Sequence, residues 1–445
     1  MRIAIIGAGP CGLACARELD RLGHDDWTLL EHAPVAGGSA GSIVDPKGFT
    51  WDFGGHVVFS HFGEFDALLD EVMGDELLEH DRSSYIRFGD RWIPYPFQNN
   101  LRHLPSEIAE ECLAGLRRSP GASGSEADFG EWMEAVFGPG ITRHFMRPYN
   151  EKVWATEVQR MSYDWIAERV SVPEKADALA NFARGRDDRE WGPNSTFKFP
   201  LRGGTGEIFR RVAAQLGKPV RLATEVVGVD PAKRLLHLSS GETESYDALV
   251  STMPIDRLVK CARGCPSHVR AAAQTLVHTS VVVVGVGYEQ PLDDSRSWLY
   301  FPDPSTPFYR ATNFAKYAAS NVPNGETSRF CSYMTETSYR SATRPALPDL
   351  EERVIESLRD AGLAAAEAPL ASVHSTDLEY AYPVPTLDRD RALATIEDWL
   401  VKRGIHSRGR FGEWRYESGN MDHAVKSGID AAHRLVEEPA KAIGS

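Results

Sequence analysis

Apolar and polar positions change their spacing along the chain, and the order of these spacings predicts how the fold begins. Short apolar runs at Arg2–Ile6 and Trp27–Leu30 enclose a glycine-rich turn and a helical stretch at Leu13–Leu22. A strand, a helix and a second strand in this order are typical of a parallel βαβ unit. The chain is therefore predicted to open as a doubly wound α/β domain.

The rest of the chain is predicted to be helical in the middle and richer in strands later. Residues 65–190 have mainly helical spacing, broken by the loop-forming composition of Ser119–Ser125. Strands are expected at Val220–Val229, Leu235–Ser240, Ala248–Thr252 and Val281–Val286. Helices are expected at Phe129–Phe137, as two stretches within Val153–Val170, around Leu350–Leu358, and at Asp422–Val436.

Composition narrows the class of protein. The 445 residues exceed one simple core, so two or three domains are expected. The net charge of −14 argues against nucleic acid as a partner, and an anionic ligand needs a local cluster of arginine or lysine. No apolar run is long enough for a membrane span. The six cysteines lack zinc-type spacing, so we expect no metal and a reducing, cytoplasmic location.

A glycine-rich motif follows the first predicted strand. Gly7, Gly9 and Gly12 form the pattern GxGxxG, and Glu31 ends the second strand 19 residues later. The first glycine permits a tight turn, the second lets the backbone approach a pyrophosphate, and the third lets helix and strand pack closely. The helix N-terminus attracts the anion, and the acid can bind a ribose diol. The motif predicts a dinucleotide site.

A second small-residue loop favours FAD over NAD as the dinucleotide. Gly37–Gly41 follows Glu31 closely, as in amine-oxidase-like flavoproteins. The same residues match GxSxG, the nucleophile elbow of hydrolases. That interpretation requires a strand directly before the serine and a helix directly after it, and the pattern here is a loop.

Motifs further along the chain resemble those of a known family. Gly54–His61 (GGHVVFSH) resembles the flavin-facing loop of the UDP-galactopyranose mutases, especially their eukaryotic, fungal-like branch. Further similar motifs occur in the family's order at 95–100 (YPFQNN), 145–150 (FMRPYN), 191–194 (WGPN), 202–206 (RGGTG), 298–310 (WLYFPDPSTPFYR) and 408–420 (RGRFGEWRYESGN). Together they span about residues 3–436.

The resemblance implies an α/β fold with an FAD-binding Rossmann-like domain, an inserted helical domain and an antiparallel β-sheet domain. The expected FAD-binding parts are residues 1–75, 200–290 and 388–445. The helical uridine-binding domain is expected at 100–190, and the antiparallel sheet and substrate domain at 76–99 and 291–387.

The resemblance also implies an activity, the interconversion of UDP-galactopyranose and UDP-galactofuranose without net redox change. In this family N5 of reduced FAD attacks C1 of the sugar, UDP leaves, and the ring opens as an iminium before closing again through O4. The implied enzyme is an intramolecular transferase that needs reduced FAD, with NAD(P)H as external reductant and a UDP-sugar as substrate. Whether the chain forms a homo-oligomer stays open.

Site residues are carried over from the matching motifs. The implied catalytic residues are His56, beside the flavin, and Arg169 and Arg310, on the leaving diphosphate. Implied substrate-binding residues are Phe59, Tyr95, Gln98, Phe145, Asn150, Trp154, Asn194, Trp298, Tyr300, Tyr382, Arg410, Tyr416 and Asn420. Predicted cofactor-binding residues are Gly7, Gly9, Gly12, Glu31, Gly38, Ser39, Gly55, His56, His61, Val227, Gly412, Met421 and Asp422. Fungal members usually carry Gln at the position of Met421, so the resemblance leaves the flavin contact at this position to the backbone.

Three alternatives remain. An amine-oxidase-like flavin oxidoreductase shares the FAD glycines but has no need for paired diphosphate arginines. A mutase for a different NDP-sugar pyranose and furanose pair would differ only in pocket contacts that the sequence does not display. A nucleotide-binding flavoprotein module without catalysis would turn over no sugar once its flavin is reduced.

Overall fold

The computed structural model describes residues 1–166, 169–172, 174–188 and 195–437. The strands in these ranges are β1 (Ile3–Ile6), β2 (Trp27–Leu30), β3 (Ser42–Val44), β4 (Thr50–Asp52), β5 (Leu77–Asp81), β6 (Ser84–Phe88), β7 (Arg91–Pro94), β8 (Thr196–Pro200), β9 (Val226–Asp230), β10 (Leu235–Leu238), β11 (Thr243–Ser245), β12 (Ala248–Ser251), β13 (His278–Tyr288), β14 (Trp298–Tyr300), β15 (Arg310–Asn313), β16 (Cys331–Tyr339), β17 (Leu370–Pro383) and β18 (Ile405–Ser407).

Helices surround these strands. They are α1 (Pro10–Arg21), α2 (Gly63–Met73), α3 (Ser106–Arg118), α4 (Phe129–Ile141), α5 (Arg147–Trp154), α6 (Lys175–Arg184), α7 (Gly206–Ala214), α8 (Ile255–Cys261), α9 (Ser267–Thr275), α10 (Leu347–Asp360), α11 (Arg389–Val401), α12 (Gly409–Gly412) and α13 (Met421–Glu437). No described helix combines the length and the apolar character that crossing a membrane requires.

A four-stranded parallel sheet carries the predicted βαβ unit. Its strand order is β18-β12-β1-β2, and Ile3 of β1 lies opposite Ala248 of β12 and Trp27 of β2. Successive side chains of β1 point to opposite faces. Ile3 and Ile5 pack into a core with α1 and α13, while Ala4 and Ile6 pack on the other side. Burial on both faces explains why this strand is continuously apolar.

A seven-stranded sheet forms a second layer, in the order β17-β13-β16-β15-β14-β6-β7. All neighbouring pairs are antiparallel except β6 and β14, which run parallel. The apolar run predicted at Val281–Val286 lies at the centre of β13. Val282 and Val284 face the core that contains α10, whereas Val281 and Val283 face Trp51.

A helical layer, rich in aromatic residues, covers one end of this sheet. α3, α4, α5 and the π-helical turn Thr142–Met146 share one core with Phe97, Phe145 and Trp154. Here the helical prediction for residues 65–190 is wrong in part, because 77–94 contains three strands. These strands are fixed by distant partners: β5 pairs with β8, and β6 pairs with β14. Short apolar runs do not distinguish strand from helix when the partner is remote in sequence.

Other element predictions agree to within a few residues or need correction. The last helix, expected at Asp422–Val436, is α13. The strand expected at Val220–Val229 begins only at Val226. Of the two helical stretches expected within Val153–Val170, α5 ends at Trp154, where Ala155 adopts a left-handed φ of 45°, and a short 3-10 turn follows at Val158–Arg160.

Candidate functional site

A cavity of about 1430 Å³ runs from the Gly-rich turn after β1 to the seven-stranded sheet and the helical layer. Gly9 and Glu31 line one end of it, and Phe145, Arg310 and Tyr382 line the other. Pockets for drug-sized ligands measure about 300–1,000 Å³. The cavity therefore has room for a dinucleotide together with a second ligand.

The dinucleotide end of the cavity, formed by Gly7–Gly12, Glu31 and Gly38, is built mainly from backbone. Gly7 has a φ of +98°, and a Cβ there would lie 2.1 Å from Oγ1 of Thr252. A Cβ on Gly12 would lie 1.9 Å from the carbonyl oxygen of Gly7. Gly12 does not line the cavity. Its lack of a side chain instead permits α1 to pack against the turn. α1 begins at Pro10, and Gly9, Pro10 and Cys11 line this end of the cavity. The first turn of a helix has N–H groups without partners inside the helix, so these residues fit the pyrophosphate of FAD.

Glu31 closes this end of the cavity. Its carboxylate accepts hydrogen bonds from the backbone N–H groups of Ala8 at 2.6 Å and Ala33 at 2.8 Å. Burial acts to raise the pKa of Glu31, but hydrogen bonds from His32, Ala33 and Ala8 lower it overall. The carboxylate stays ionised. Oε1 accepts from both Ala33 and His32, whereas Oε2, which accepts from Ala8, keeps a second lone pair for a ribose hydroxyl.

Other predicted cofactor residues are placed as follows. Gly38, Ser39, Gly55, His56, His61, Val227 and Met421 line the cavity. Gly412 lies behind it, and a Cβ there would be 3.2 Å from the carbonyl oxygen of Ser251. This glycine therefore serves close packing in the structure, while direct cofactor contact was the prediction.

Asp422 does not line the cavity but joins two histidines that do. Its Oδ2 lies 2.7 Å from Nδ1 of His61, and its Oδ1 lies 3.1 Å from Nδ1 of His423. Burial acts to raise the pKa of Asp422, yet these histidines lower it to about 2. This cluster could not be predicted from spacing, because His61 lies far from Asp422 and His423 in the chain.

His56 belongs to the loop Gly54–His61, called the flavin loop after the predicted contact, and it lines the cavity. Its Nδ1 is buried and has no hydrogen-bond partner among the described residues. Burial lowers the pKa of His56 to about 4, helped by the charges of Arg410 and Arg310 and opposed by Glu336. The imidazole is therefore neutral at physiological pH, with a polar atom available to a ligand.

The other end, which we call the anion end, contains Arg169, Arg310, Arg410 and Tyr382. Arg310 forms a two-pronged ion pair with buried Glu336, through Nε at 2.8 Å and a terminal nitrogen at 2.7 Å. Burial alone would lower the pKa of Arg310, but Glu336 raises it well above its usual value. The Arg310 guanidinium also stacks on Trp298, 4.8 Å from the ring centre. Its orientation is thereby fixed.

Arg169 and Arg410 are held differently, because neither pairs with a carboxylate of the described residues. Arg169 donates to Oδ1 of Asn420 at 2.6 Å and to the backbone carbonyl of Glu417. Arg410 donates to the carbonyl of Gly419 at 2.7 Å. Burial lowers the pKa of Arg410, although nearby tyrosines oppose the shift. Two uncompensated guanidinium groups on one cavity favour a multiply charged anion.

Aromatic rings line the helical side. Tyr95 stacks on Tyr300 with ring centres 5.0 Å apart, and Phe145 stacks on Tyr149 at 5.4 Å. Trp154 meets Tyr416 edge to face at 4.8 Å. A flat aromatic wall of this kind suits a nucleobase.

The remaining predicted substrate residues that the structure describes also lie on the cavity. Phe59, Gln98, Asn150, Trp298, Tyr382 and Asn420 line it. Oε1 of Gln98 is buried without a hydrogen-bond partner among the described residues, so an amide acceptor is available. Asn194 lies outside the described residues.

Sequence reasoning missed three residues of the site. Glu336 is the single charged residue of the mostly buried strand β16, Tyr309 immediately precedes Arg310, and Arg82 contacts the rings of Tyr95 and Trp298. The only available signal was a buried-type strand, Cys331–Tyr339, that carries a single charge.

Comparisons with known proteins agree with this geometry. A model of the family described as flavin containing amine oxidoreductase matches residues 10–436. The crystal structure of reduced UDP-galactopyranose mutase superimposes with a TM-score of 0.94 at 38% identity, covering 98% of this chain and 94% of that one. This chain is a UDP-galactopyranose mutase-like flavoenzyme of the flavin-containing amine oxidoreductase family. The family and the fold class inferred from the motifs are thus confirmed.

More distant members of the flavin-containing family share parts of the chain or its fold. Zeta-carotene desaturase of Zea mays is 38% identical over 78 residues, which are 18% of this chain and 14% of the desaturase. The 15-cis-phytoene desaturase of Synechococcus elongatus is 26% identical over 40% of this chain and 35% of its own length. The chain therefore spans well under two thirds of these curated relatives. A putrescine oxidase structure, 17% identical with a TM-score of 0.67, shows the shared fold.

Proposed function

We propose that this flavoenzyme is an NDP-sugar mutase that interconverts UDP-galactopyranose and UDP-galactofuranose. The observation that carries the proposal is that one cavity joins a dinucleotide end to an anion end with an aromatic wall beside it. The family membership supplies FAD for the first end. The second end fits the diphosphate and base of a UDP-sugar.

Each part of the anion end has a task in this proposal. Arg169, Arg310 and Arg410 donate hydrogen bonds to the diphosphate while its bond to the sugar breaks, and the charges of Arg169 and Arg410, with which no described carboxylate pairs, stabilise the charge that develops on it. The aromatic wall around Tyr95 and Phe145 holds the uracil by stacking. The anomeric carbon is thereby directed back toward the flavin loop at Gly55 and His56.

The cofactor supplies the remaining chemistry. When FAD is bound and reduced, its N5 offers a nucleophile to the anomeric carbon, so that the sugar ring can open without net redox change. The neutral imidazole of His56 would add no positive charge to the part of the cavity where the cofactor binds. We propose NAD(P)H as the external reductant.

An oxidoreductase acting on an amine or a carotenoid is the principal competitor, since the curated relatives include desaturases. Such substrates carry no diphosphate. Arg169 and Arg410, which lack carboxylate partners among the described residues, would then be half-buried cations without an anion to bind. This argues for the mutase, although a different NDP-sugar would satisfy the same arginines.

A substrate panel tests the proposal. The purified protein is reduced anaerobically with dithionite and incubated with UDP-galactose and other NDP-sugars, and the products are separated by chromatography. We expect UDP-galactofuranose from UDP-galactopyranose, with no net consumption of reductant. Turnover of another NDP-sugar alone would replace the substrate, and no isomerisation of any NDP-sugar would refute the mutase.

A further inference from the structure

Glu336 lies in the wall between the two ends of the cavity and is almost completely buried, with 2% of its surface exposed. It stands on β16 directly opposite Arg310 of β15 in the antiparallel register. Its carboxylate accepts hydrogen bonds from Arg310, from the backbone N–H of Gly55 at 3.0 Å, and from the hydroxyls of Tyr309 and Tyr382. A buried carboxylate with this many donors is held ionised and rigid.

The negative charge of this carboxylate weakens anion binding at the site, because it repels a diphosphate. It also cancels the charge of Arg310, which it contacts through two hydrogen bonds. Arg169 and Arg410 have no such partner in the described part of the chain, and they donate only to amide and backbone oxygens. Arg169 and Arg410 therefore contribute net positive charge to the anion end, whereas the charge of Arg310 is neutralised by Glu336.

Glu336 contacts both ends of the cavity, and these contacts offset its unfavourable effect on anion binding. Through the N–H of Gly55 it holds the loop that carries His56, and through Arg310 it holds one donor of the anion end. A single side chain therefore fixes the spacing between the two ends of the cavity. A neutral side chain would not hold the guanidinium in both of its contacts.

We propose that Glu336 is a positioning residue that fixes Arg310 against the flavin loop and removes its charge from the anion end, leaving Arg169 and Arg410 as the net attraction for the diphosphate. This inference rests on the proposed function for the identity of the anion. It predicts that Glu336 lowers the affinity for UDP while aiding turnover. Damage to the site by a purely structural change would weaken both.

The test compares the UDP affinity of Glu336→Gln with that of the unmodified flavoenzyme, measured by isothermal titration calorimetry. Removing one unit of negative charge beside the diphosphate is expected to tighten UDP binding about tenfold, while kcat falls. Asp45→Asn is the matched control, because Asp45 is also a buried, multiply hydrogen-bonded carboxylate but does not line the cavity. Its UDP affinity should stay unchanged. Unchanged or weaker binding in Glu336→Gln overturns the inference.

A second pair of variants covers the case in which Glu336→Gln does not fold. Arg310→Gln leaves Glu336 buried and unpaired, so UDP should bind at least tenfold more weakly. The double variant Arg310→Gln with Glu336→Gln removes a pair of zero net charge, and it should recover most of that affinity. Equal loss in the single and double variants would show that Arg310 contributes its charge directly.

Pyrophosphate as a second probe separates the inference from the proposed function. If the unmodified protein binds pyrophosphate but not UDP, the nucleotide-sugar assignment fails, while tighter pyrophosphate binding by Glu336→Gln still supports the charge assignment. If the unmodified protein binds neither, both are wrong.

Discussion

The two ends of the cavity are built in different ways. The dinucleotide end uses backbone and glycine, and its parts lie within residues 7–38 of the chain. The anion end uses long charged and aromatic side chains that come from Arg169, Arg310, Arg410 and Tyr382, which are far apart in sequence. The first end depends on the absence of side chains, and the second depends on how side chains are held.

This difference has an energetic consequence. At the dinucleotide end, an added side chain displaces the backbone that would bind the cofactor, because the helix and the turn are in contact across Gly12. At the anion end, a substitution removes the contacts of one arginine and leaves the others in place, because each arginine has its own partners. Substitutions of the glycines at the first end should therefore abolish cofactor binding, whereas those of the arginines at the second should reduce catalysis and leave the flavin bound.

The largest effect is expected for Gly12→Val. Its side chain would meet the carbonyl of Gly7, so α1 must move away from the turn. We expect the purified variant to lack the visible flavin absorbance and to unfold at lower temperature. Gly63→Ala is the control, because a Cβ there meets nothing within 4 Å. Full flavin content in Gly12→Val would show that close packing at Gly12 is not required for cofactor binding.

A large but separate effect is expected for Arg169→Ala. Loss of one preorganised donor to the leaving diphosphate should lower kcat by about 10²–10³, while the flavin spectrum stays unchanged. Steady-state assay with reduced enzyme and a scan of flavin absorbance measure the two quantities. Arg391→Ala, which removes an exposed cation outside the cavity, should keep normal turnover. If Arg169→Ala instead loses flavin, the two ends are not separable.

A moderate effect is expected for Glu31→Gln. The amide would direct an N–H group at the backbone N–H of Ala8 or Ala33 and lose the charge that favours ribose hydroxyls. We expect FAD to bind about tenfold more weakly, a loss of about 1.4 kcal/mol, with kcat unchanged at saturating FAD. Titration of the apoprotein with FAD, followed by flavin fluorescence, gives the affinity. Unaltered FAD affinity would remove Glu31 from the dinucleotide end.

The smallest effect concerns pH and His56, which lies between the two ends. Its pKa falls from 6.5 when unfolded to about 4 in the fold, so the unfolded chain binds the proton more readily. The neutral imidazole therefore costs no stability above about pH 6.5, and stability declines as the pH falls from there toward 4. His56→Gln should lessen this decline in melting temperature, measured at saturating FAD. An identical pH profile in both proteins would show that His56 does not titrate in this way.

The same difference between the two ends decides what the sequence reveals. The glycines before α1 and the acid after β2 follow a fixed local spacing, so their placement and the α/β opening could be predicted from pattern alone. No spacing relates Arg310 to Glu336, because they meet only through the pairing of β15 with β16. Most residues of the anion end were reached through family motifs, and Glu336 was not reached at all. Strand pairing between remote segments also explains why the apolar pattern alone did not show the strands at 77–94, a range that the family resemblance placed in the sheet domain.

The most direct test of the account is a crystal structure of the reduced flavoenzyme with a bound UDP-sugar. We predict that Arg169 and Arg310 contact the diphosphate and that the anomeric carbon lies about 3–3.5 Å from flavin N5, as a reactive geometry requires. A complex in which the diphosphate lies away from these arginines, or the sugar on the opposite side of the molecule from the flavin, would contradict it.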